Sequence, residues 1–383
     1  MSDLSLQLQQ AKSQLSVSSY FDDALFKREM ETIFRSGPRY VGHRLSVPER
    51  GDYSSLKHEG DGRALVHGAN GIELLSNVCR HRQSVMLKGT GNLSHTQSGS
   101  SGGNIVCPLH RWTYSEQGQL LGAPHFSQDP CLNLKRYKLR EWNGLLFEDN
   151  GRDIATDLAN LGPAAALSFD GYVLDHVEMH ECNYNWKTFV EVYLENYHVE
   201  PFHPGLGNFV SCDELNWEFQ KEYSVQTVGV TDLRYSGSPA YQRWHDVLLR
   251  YRNGELPAYG AIWLTYYPHI MIEWYPHVLT VSTLHPTGPQ RTMNVVAFFY
   301  PEEIAAFERD FVDAQRVAYM ETAAEDDEIA LRMDQGRYAL MTRGDNEVGP
   351  YQSPMEDGMQ HFHEWYNGKM TAHTDAVLPV RSP

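Results

Sequence analysis

Two short cysteine–histidine pairings constrain this chain more than anything else in it: Asn77-Val78-Cys79-Arg80-His81-Arg82 and Cys107-Pro108-Leu109-His110-Arg111-Trp112. One residue separates cysteine from histidine in the first half and two in the second, and 25 residues (82–106) lie between the halves. Each half offers one thiolate and one imidazole. The surrounding sequence reads as short strands at Tyr40–Gly42, Ala64–His67, Ile72–Asn77, Ile105–Cys107 and Leu145–Glu148. Asn-Gly turns at 70–71, 143–144 and 150–151 punctuate them, as in a small antiparallel domain. Strand–turn–strand tips would present both halves to one centre. A Ser- and Gly-rich tract from Gly89 to Gly103 reads as a flexible loop between them.

Two thiolates and two imidazoles suit a Rieske [2Fe–2S] centre, in which one iron takes both cysteines and the other both histidines. Exchanging anionic thiolates for neutral imidazoles raises the reduction potential. A structural zinc is the first competing reading, since Cys2His2 suits tetrahedral zinc. The single-residue gap of Cys79-x-His81 counts against it, because zinc pairs are usually spaced by two to four. The second is that the four are unrelated core residues.

Length and charge limit what can surround these loops. A chain of 383 residues has room for two domains. The charge sum of 32 − 49 = −17 repels phosphate backbones and argues against nucleic acid as a partner. No apolar run approaches the ~20 residues that span a bilayer. The polar stretch from Met1 to Val17 lacks the apolar core of a secretion signal. The expectation is a soluble, cytoplasmic protein with no membrane partner. Five cysteines, an odd number, argue against a disulfide framework. Cys131, Cys182 and Cys212 are expected to be packed small residues.

The remaining elements suggest an α+β chain in three parts: an N-terminal helical segment (1–37), the small antiparallel β domain (38–155) and a larger domain (156–383). The first carries Leu4, Leu6 and Leu8, then a helical stretch from Phe21 to Phe34 that Pro38 stops. Residues 151–170 read as a linker, and Trp186 to Tyr197 as a helix. Strands at Ala261–Tyr267, Ile270–Tyr275, Val278–Leu284 and Met293–Tyr300 suggest an antiparallel meander. Pro301, followed by Glu302 and Glu303 in a first turn, opens a long helix to about Met333, ahead of Gly336.

A second constellation lies on these elements. On a continuous helix Glu191, Glu195 and His198 share one face. Pro201 cannot continue that helix, so the chain bends and His203 can swing back toward His198. Two imidazoles placed so suit two cis positions on one metal, and a facial triad adds a carboxylate while leaving positions open. The candidate lies in Glu325-Asp326-Asp327-Glu328, where Asp326 shares a helical face with Ile329, Ala330 and Met333. An unpaired carboxylate on an apolar face is costly. The competing reading makes this run a solvated acidic face.

Taken in order, the Rieske pair and the Glu/Asp-x2-His-x4-His pattern resemble the α subunits of Rieske non-heme iron oxygenases. The resemblance runs from Tyr40-Val41-Gly42-His43 to the acidic C-terminal helix. It implies a helix-grip-like catalytic domain, a [2Fe–2S] cluster on Cys79, His81, Cys107 and His110, and mononuclear Fe(II) on His198, His203 and Asp326, with Asp327 as fallback. It also implies that Glu195 matches the carboxylate bridging that iron to the cluster of a neighbouring subunit. Electrons would come from NAD(P)H through a flavin-containing reductase, with or without a ferredoxin. Arg111 stands where a glycine commonly follows the second Rieske histidine, and the loop between the halves is longer than usual. Glu195, where ring-hydroxylating dioxygenases have aspartate, looks more like the choline- and carnitine-monooxygenase branch, whose members resemble homotrimers.

The expected activity is O2-dependent hydroxylation or demethylation of a small organic substrate, a quaternary ammonium or methylated amine being favoured. Trp263, Tyr266, Tyr267, Trp274 and Tyr275 could cage such a cation, or fill the core beneath the sheet. Glu273 within that run could pair with a cationic substrate or form a structural ion pair. His361 and His363, two apart on a helix, are expected to pack rather than bind metal. The rivals are an aromatic-ring-hydroxylating dioxygenase and, from another class, a Rieske electron carrier or metal-stabilised binding protein.

Overall fold

The computed structural model describes residues 13–95 and 103–375. Leu4, Leu6 and Leu8, and the loop residues from Gln97 to Gly102, lie outside them. The chain forms two compact units, one of residues 38–154 and one of residues 1–37 with 155–383. The N-terminal segment thus shares a unit with the larger domain.

The smaller unit is built of short antiparallel strands: β1 (Tyr40–His43), β2 (Asp52–Ser55), β3 (Arg63–Gly68), β4 (Gly71–Ser76), β5 (Thr90–Asn92), β6 (Ile105–Val106), β7 (Thr113–Tyr114), β8 (Leu120–Gly122), β9 (Arg136–Tyr137), β10 (Leu139–Trp142) and β11 (Leu145–Glu148). They form sheets of order β1-β11-β10, β5-β2-β3-β4-β9 and β6-β7-β8. Ala64, Val66, Leu75, Ile105, Trp112 and Tyr114 make a common core with Cys79 and Cys107. That core fixes the two loops that follow β4 and β6. Cys131 corrects one expectation: it is exposed, in a turn where its N–H meets Asp129 Oδ1 at 2.8 Å.

In the larger unit seven strands form one antiparallel sheet: β12 (Tyr172–Cys182), β13 (Val210–Gln220), β14 (Tyr223–Val230), β15 (Ala261–Tyr266), β16 (Ile270–Tyr275), β17 (Val278–Gly288) and β18 (Arg291–Pro301), in the order β12-β18-β17-β16-β15-β14-β13. The expected meander is its β15–β18 portion. Period-2 alternation divides it: Ile262, Leu264 and Ile272 face one way, while Trp263, Glu273 and Thr280 stand in one row on the other. The helices of this unit include α1 (Asp23–Glu29), α2 (Trp186–Tyr193), α3 (Val199–Phe202), α4 (Pro239–Tyr251), α5 (Glu302–Phe307), α6 (Arg309–Arg343) and α7 (Asp357–Asp375). Among the described residues no helix is long and apolar enough to cross a membrane.

Two helix expectations need correction. The stretch after Trp186 is not one helix to Tyr197: α2 ends at Tyr193 and α3 begins after His198. Pro201 sits in the first turn of α3, where its missing N–H leaves no bond unmade. The C-terminal helix is also two: Pro301 precedes α5, the backbone opens at Glu308, and α6 then runs to Arg343. Gly336 lies inside α6, and the stop is Gly344 in the left-handed region at φ +79°. One interior glycine costs about 1 kcal/mol, less than the packing and ion pairs that hold α6.

Glu191 does not face the metal candidates. It is fully buried against Arg337 Nη2, His363 Nε2 (2.9 Å) and the Tyr20 hydroxyl (2.5 Å). Beside it, Glu29 takes Lys187 Nζ at 2.7 Å, Trp186 Nε1 at 2.9 Å and the Tyr366 hydroxyl at 2.5 Å. These pairs pin the N-terminal segment, α2, α6 and α7 together. They also account for His363, while His361 Nδ1 meets the Tyr267 hydroxyl at 2.9 Å.

Candidate metal centres and the adjoining cavity

In the smaller unit the two loops have matching geometry. Gln83 N–H donates to Cys79 O (3.1 Å), and Arg111 N–H donates to Cys107 O (3.1 Å). Both Gln83 (φ +54°) and Arg111 (φ +62°) lie in the left-handed region. That explains why glycine suits the Arg111 position: it reaches this conformation without steric cost. The thiols of Cys79 and Cys107 are adjacent and buried, and burial disfavours the thiolate and raises the Cys107 pKa. The rings of His81 and His110 lie 4.7 Å apart, and Trp112 stacks on His81 at 5.0 Å. His81 Nδ1 is buried without a hydrogen-bond partner, as a nitrogen reserved for a metal would be.

A cysteine pair beside a histidine pair fits a two-iron centre with unlike ends. A single zinc would draw all four donors around one point. Among the described residues, three or more donors gather within 4.8 Å of one another at two places, and both are in the larger unit.

One of those places is the triad His198, His203 and Asp326. His198 Nε2 faces His203 Nε2 at 3.0 Å, and Asp326 Oδ1 lies 3.4 and 3.0 Å from the two nitrogens. The break between α2 and α3 produces this convergence, since the chain turns at Leu194 and brings both imidazoles toward α6. The far ring nitrogens are occupied: His198 Nδ1 meets Glu195 Oε1, and His203 Nδ1 meets Glu325 Oε2 at 2.7 Å. Carboxylates there keep the proton on Nδ1 and leave each Nε2 as a lone-pair donor. Three such donors aimed at one point call for a cation.

Electrostatics agree. Burial disfavours the charged form of His198, yet Asp326 and Glu195 outweigh it and push its pKa up to about 10. His203 is raised in the same way, burial being overcome by Asp326 and Glu325. Burial pushes Asp326 upward, but the two histidines hold it below the ordinary carboxylate value. A bound dication would supply the positive charge these groups seek. The set is two imidazoles and one carboxylate on one side, the donor chemistry of a ferrous facial triad.

Sequence reasoning singled out the triad and Glu195 but read Glu325 only as part of an acidic run. Asp327 goes elsewhere: it meets His180 Nε2, accepts from the Tyr184 hydroxyl at 2.6 Å, and forms with Cys182 the second gathered group. The signal for that group was present, since His180 and Cys182 are two apart on a strand and share a face.

A cavity of about 120 Å³ opens onto the triad. It is small beside the ~300–1,000 Å³ of drug-sized sites. Tyr193, Trp263, Glu273, Tyr275 and Tyr319 line it. Of the five aromatics expected to cage a substrate, Trp263 and Tyr275 line this cavity and the other three do not. Tyr266 and Tyr267 are fully buried elsewhere, Tyr266 donating to Asp157 and Tyr267 packing in the α2–α7 core.

Comparison with known proteins places this geometry. The model for the ring hydroxylating alpha subunit (catalytic domain) matches residues 167–372, and that for the Rieske [2Fe-2S] domain matches residues 38–138. A putrescine 2-hydroxylase of Ralstonia nicotianae is 64% identical over 97% of this chain and 100% of its own length. Another, of Bordetella bronchiseptica, is 62% identical over 94% of this chain and 85% of its own. Among solved structures, the quaternary ammonium Rieske monooxygenase CntA with a bound inhibitor superimposes with a TM-score of 0.75, at 19% identity, over 95% of this chain and 98% of its own.

Proposed function

This chain belongs to the family of Rieske oxygenase α subunits, oxidoreductases that bind a [2Fe–2S] cluster and mononuclear iron, and from that premise we propose that it hydroxylates a carbon of a short aliphatic diamine of the putrescine type. The observation that carries this reading is the 64% identity to a putrescine 2-hydroxylase along that protein's whole length. The likeness to the quaternary ammonium enzyme carries only the fold, so a primary diamine replaces the methylated cation expected from Glu195. A cavity lined by a buried carboxylate is also poorly matched to an uncharged hydrocarbon, which disfavours the aromatic-ring alternative.

In this reading Cys79, His81, Cys107 and His110 hold the cluster, and His198, His203 and Asp326 hold the iron. Bound there, the two groups supply single electrons and a ferrous centre with open positions for O2. The balance is one C–H bond, one O2, two electrons and two protons giving one C–OH and one water. The electrons derive from NAD(P)H through a flavin-containing reductase. Glu195 and Glu325 hold the histidine rings with Nε2 free, and the aromatic walls exclude water from the substrate chain. Glu195 is also our candidate for the polar link to a neighbouring subunit's cluster in a homotrimer. Glu195→Ala should then depress product formation with the cluster intact, and undiminished coupled turnover would remove Glu195 from that role.

The test of the function is oxygen uptake by the metal-loaded protein with a reductase, NAD(P)H and 1,4-diaminobutane. The expected result is diamine-dependent uptake matched by a hydroxylated diamine. Uptake indifferent to the diamine, with no such product, overturns the reading.

A further inference from the structure

Glu273 is 2% exposed and stands on β16 directly between Trp263 of β15 and Thr280 of β17, on the face that lines the cavity. Its carboxylate accepts from the Tyr275 hydroxyl at 3.1 Å and the Tyr319 hydroxyl at 3.2 Å, both long contacts. Among the described residues no basic side chain forms an ion pair with it. A carboxylate so placed is costly without a cation. Burial pushes its pKa up to about 7, the three hydroxyls around it only partly opposing this. The other buried glutamates of this unit, Glu29, Glu191 and Glu222, are matched by Lys187, Arg337 and Lys369. The walls around Glu273 are aromatic, and the Tyr193 hydroxyl is buried there with no hydrogen-bond partner. Electron-rich ring faces and a lone carboxylate together suit an ammonium group.

The position along α6 also matters. Tyr319, which touches Glu273, and Asp326 of the triad are seven residues apart, two turns on one helical face. That spacing is about 10 Å along the axis. One helix therefore carries both a member of the reacting centre and a contact of Glu273, and both line the same cavity.

We propose that Glu273, enclosed by Trp263, Tyr275, Tyr319 and Tyr193, is the subsite that receives the ammonium group at the far end of the diamine and so selects diamines over monoamines. This rests on the functional reading above and assigns the residue that confers its substrate choice. The empty carboxylate takes up the cation, Tyr193 gains a partner, and the far amine fixes which carbon lies before the triad.

The test uses the full chain with both metal centres, its reductase supply, and 1,4-diaminobutane and 1-aminobutane as paired substrates. Glu273→Gln keeps the shape but loses the charge, its Oε1 accepting from one tyrosine hydroxyl while its Nε2 donates to the other. The ratio of kcat/KM for diamine over monoamine should fall by roughly 10- to 150-fold, the worth of a hydrogen bond to a charged group. Glu273→Asp keeps the charge and withdraws it by one methylene, so the preferred substrate should shift toward 1,5-diaminopentane. An unchanged ratio in the glutamine variant overturns the proposal. If that variant fails to hold its metals, an unchanged chain-length order in the aspartate variant does so. Wild-type protein that turns over the diamine while the variants keep its selectivity sinks this inference alone. Wild-type protein that turns over neither amine sinks the functional reading with it.

Discussion

Glu325 shows how much of the candidate centre depends on residues that bind nothing themselves. Its carboxylate holds His203 Nδ1, and His203 is 1% exposed, so the ring has no water to replace that partner. Glu325→Ala should weaken the mononuclear iron about 10- to 100-fold, read as iron retained after chelator challenge, with the visible signature of the cluster unchanged. Equal iron retention would mean the contact does not matter. Glu273 yields a pH prediction. It faces Thr280, Tyr275, Tyr193, Tyr319 and, more distantly, Asp326. With its pKa at about 7, the carboxylate must lose its proton to hold an ammonium that is charged throughout. Diamine affinity should therefore rise as pH increases through 7 and level off above, while Glu273→Gln stays flat. A wild-type profile without that step contradicts the assignment. The convergence of His198, His203 and Asp326 was legible in the sequence because their residue types and spacings, together with the family resemblance, suit one metal. Glu325 was not, because an acidic run on a helix looks the same whether it faces solvent or an imidazole.

Elements were legible where periodicity was strong and obscure where burial was satisfied by polar groups. β15 to β18 alternate in the way a half-buried sheet demands. β12 and β13, long strands at the sheet's two edges, carry too many charged residues to announce themselves. α2 carries the buried Lys187 and Glu191, which the helical pattern assigns to a polar face. Their partners, Glu29 and Arg337, lie about 150 residues away in sequence and no local pattern reveals them. Arg337→Met should strand Glu191 in the core and cost about 3 kcal/mol of stability, measurable by chemical denaturation; a loss near zero would mean the remaining partners suffice. Burial favours the neutral form of Glu191, but Arg337, His363 and Tyr20 hold its pKa down at about 2. Because the folded value lies below the unfolded one, its contribution is fully present above about pH 4.5 and drains away as pH falls toward 2. Acid titration of wild-type and Arg337→Met proteins should show that dependence weakened in the variant. Gly237 serves the loop after α3: at φ +68° an added Cβ would fall 1.6 Å from Pro204 O, next to His203.

At the scale of the whole molecule, the chain carries two kinds of metal chemistry in two units, each with its own core. Fully loaded protein should hold three irons per chain, two in the cluster and one at the triad. His203→Ala should hold two, with the reduced cluster's paramagnetic signal intact and turnover lost; loss of the cluster signal as well would couple the centres in a way the separate cores do not predict. The division into a small β domain and a larger α+β domain was legible because the cysteine–histidine loops and the meander have different grammars. The membership of the N-terminal segment was not, since its helical pattern cannot say which core receives Tyr20 and Ile33. The proposed reaction inserts one oxygen atom from O2 into a carbon of a diamine. Turnover of 1,4-diaminobutane under ¹⁸O2, followed by mass spectrometry, tests it most directly. The account predicts a hydroxylated diamine retaining both nitrogens and carrying one labelled oxygen atom; an unlabelled product, or a product that has lost an amine, would contradict it.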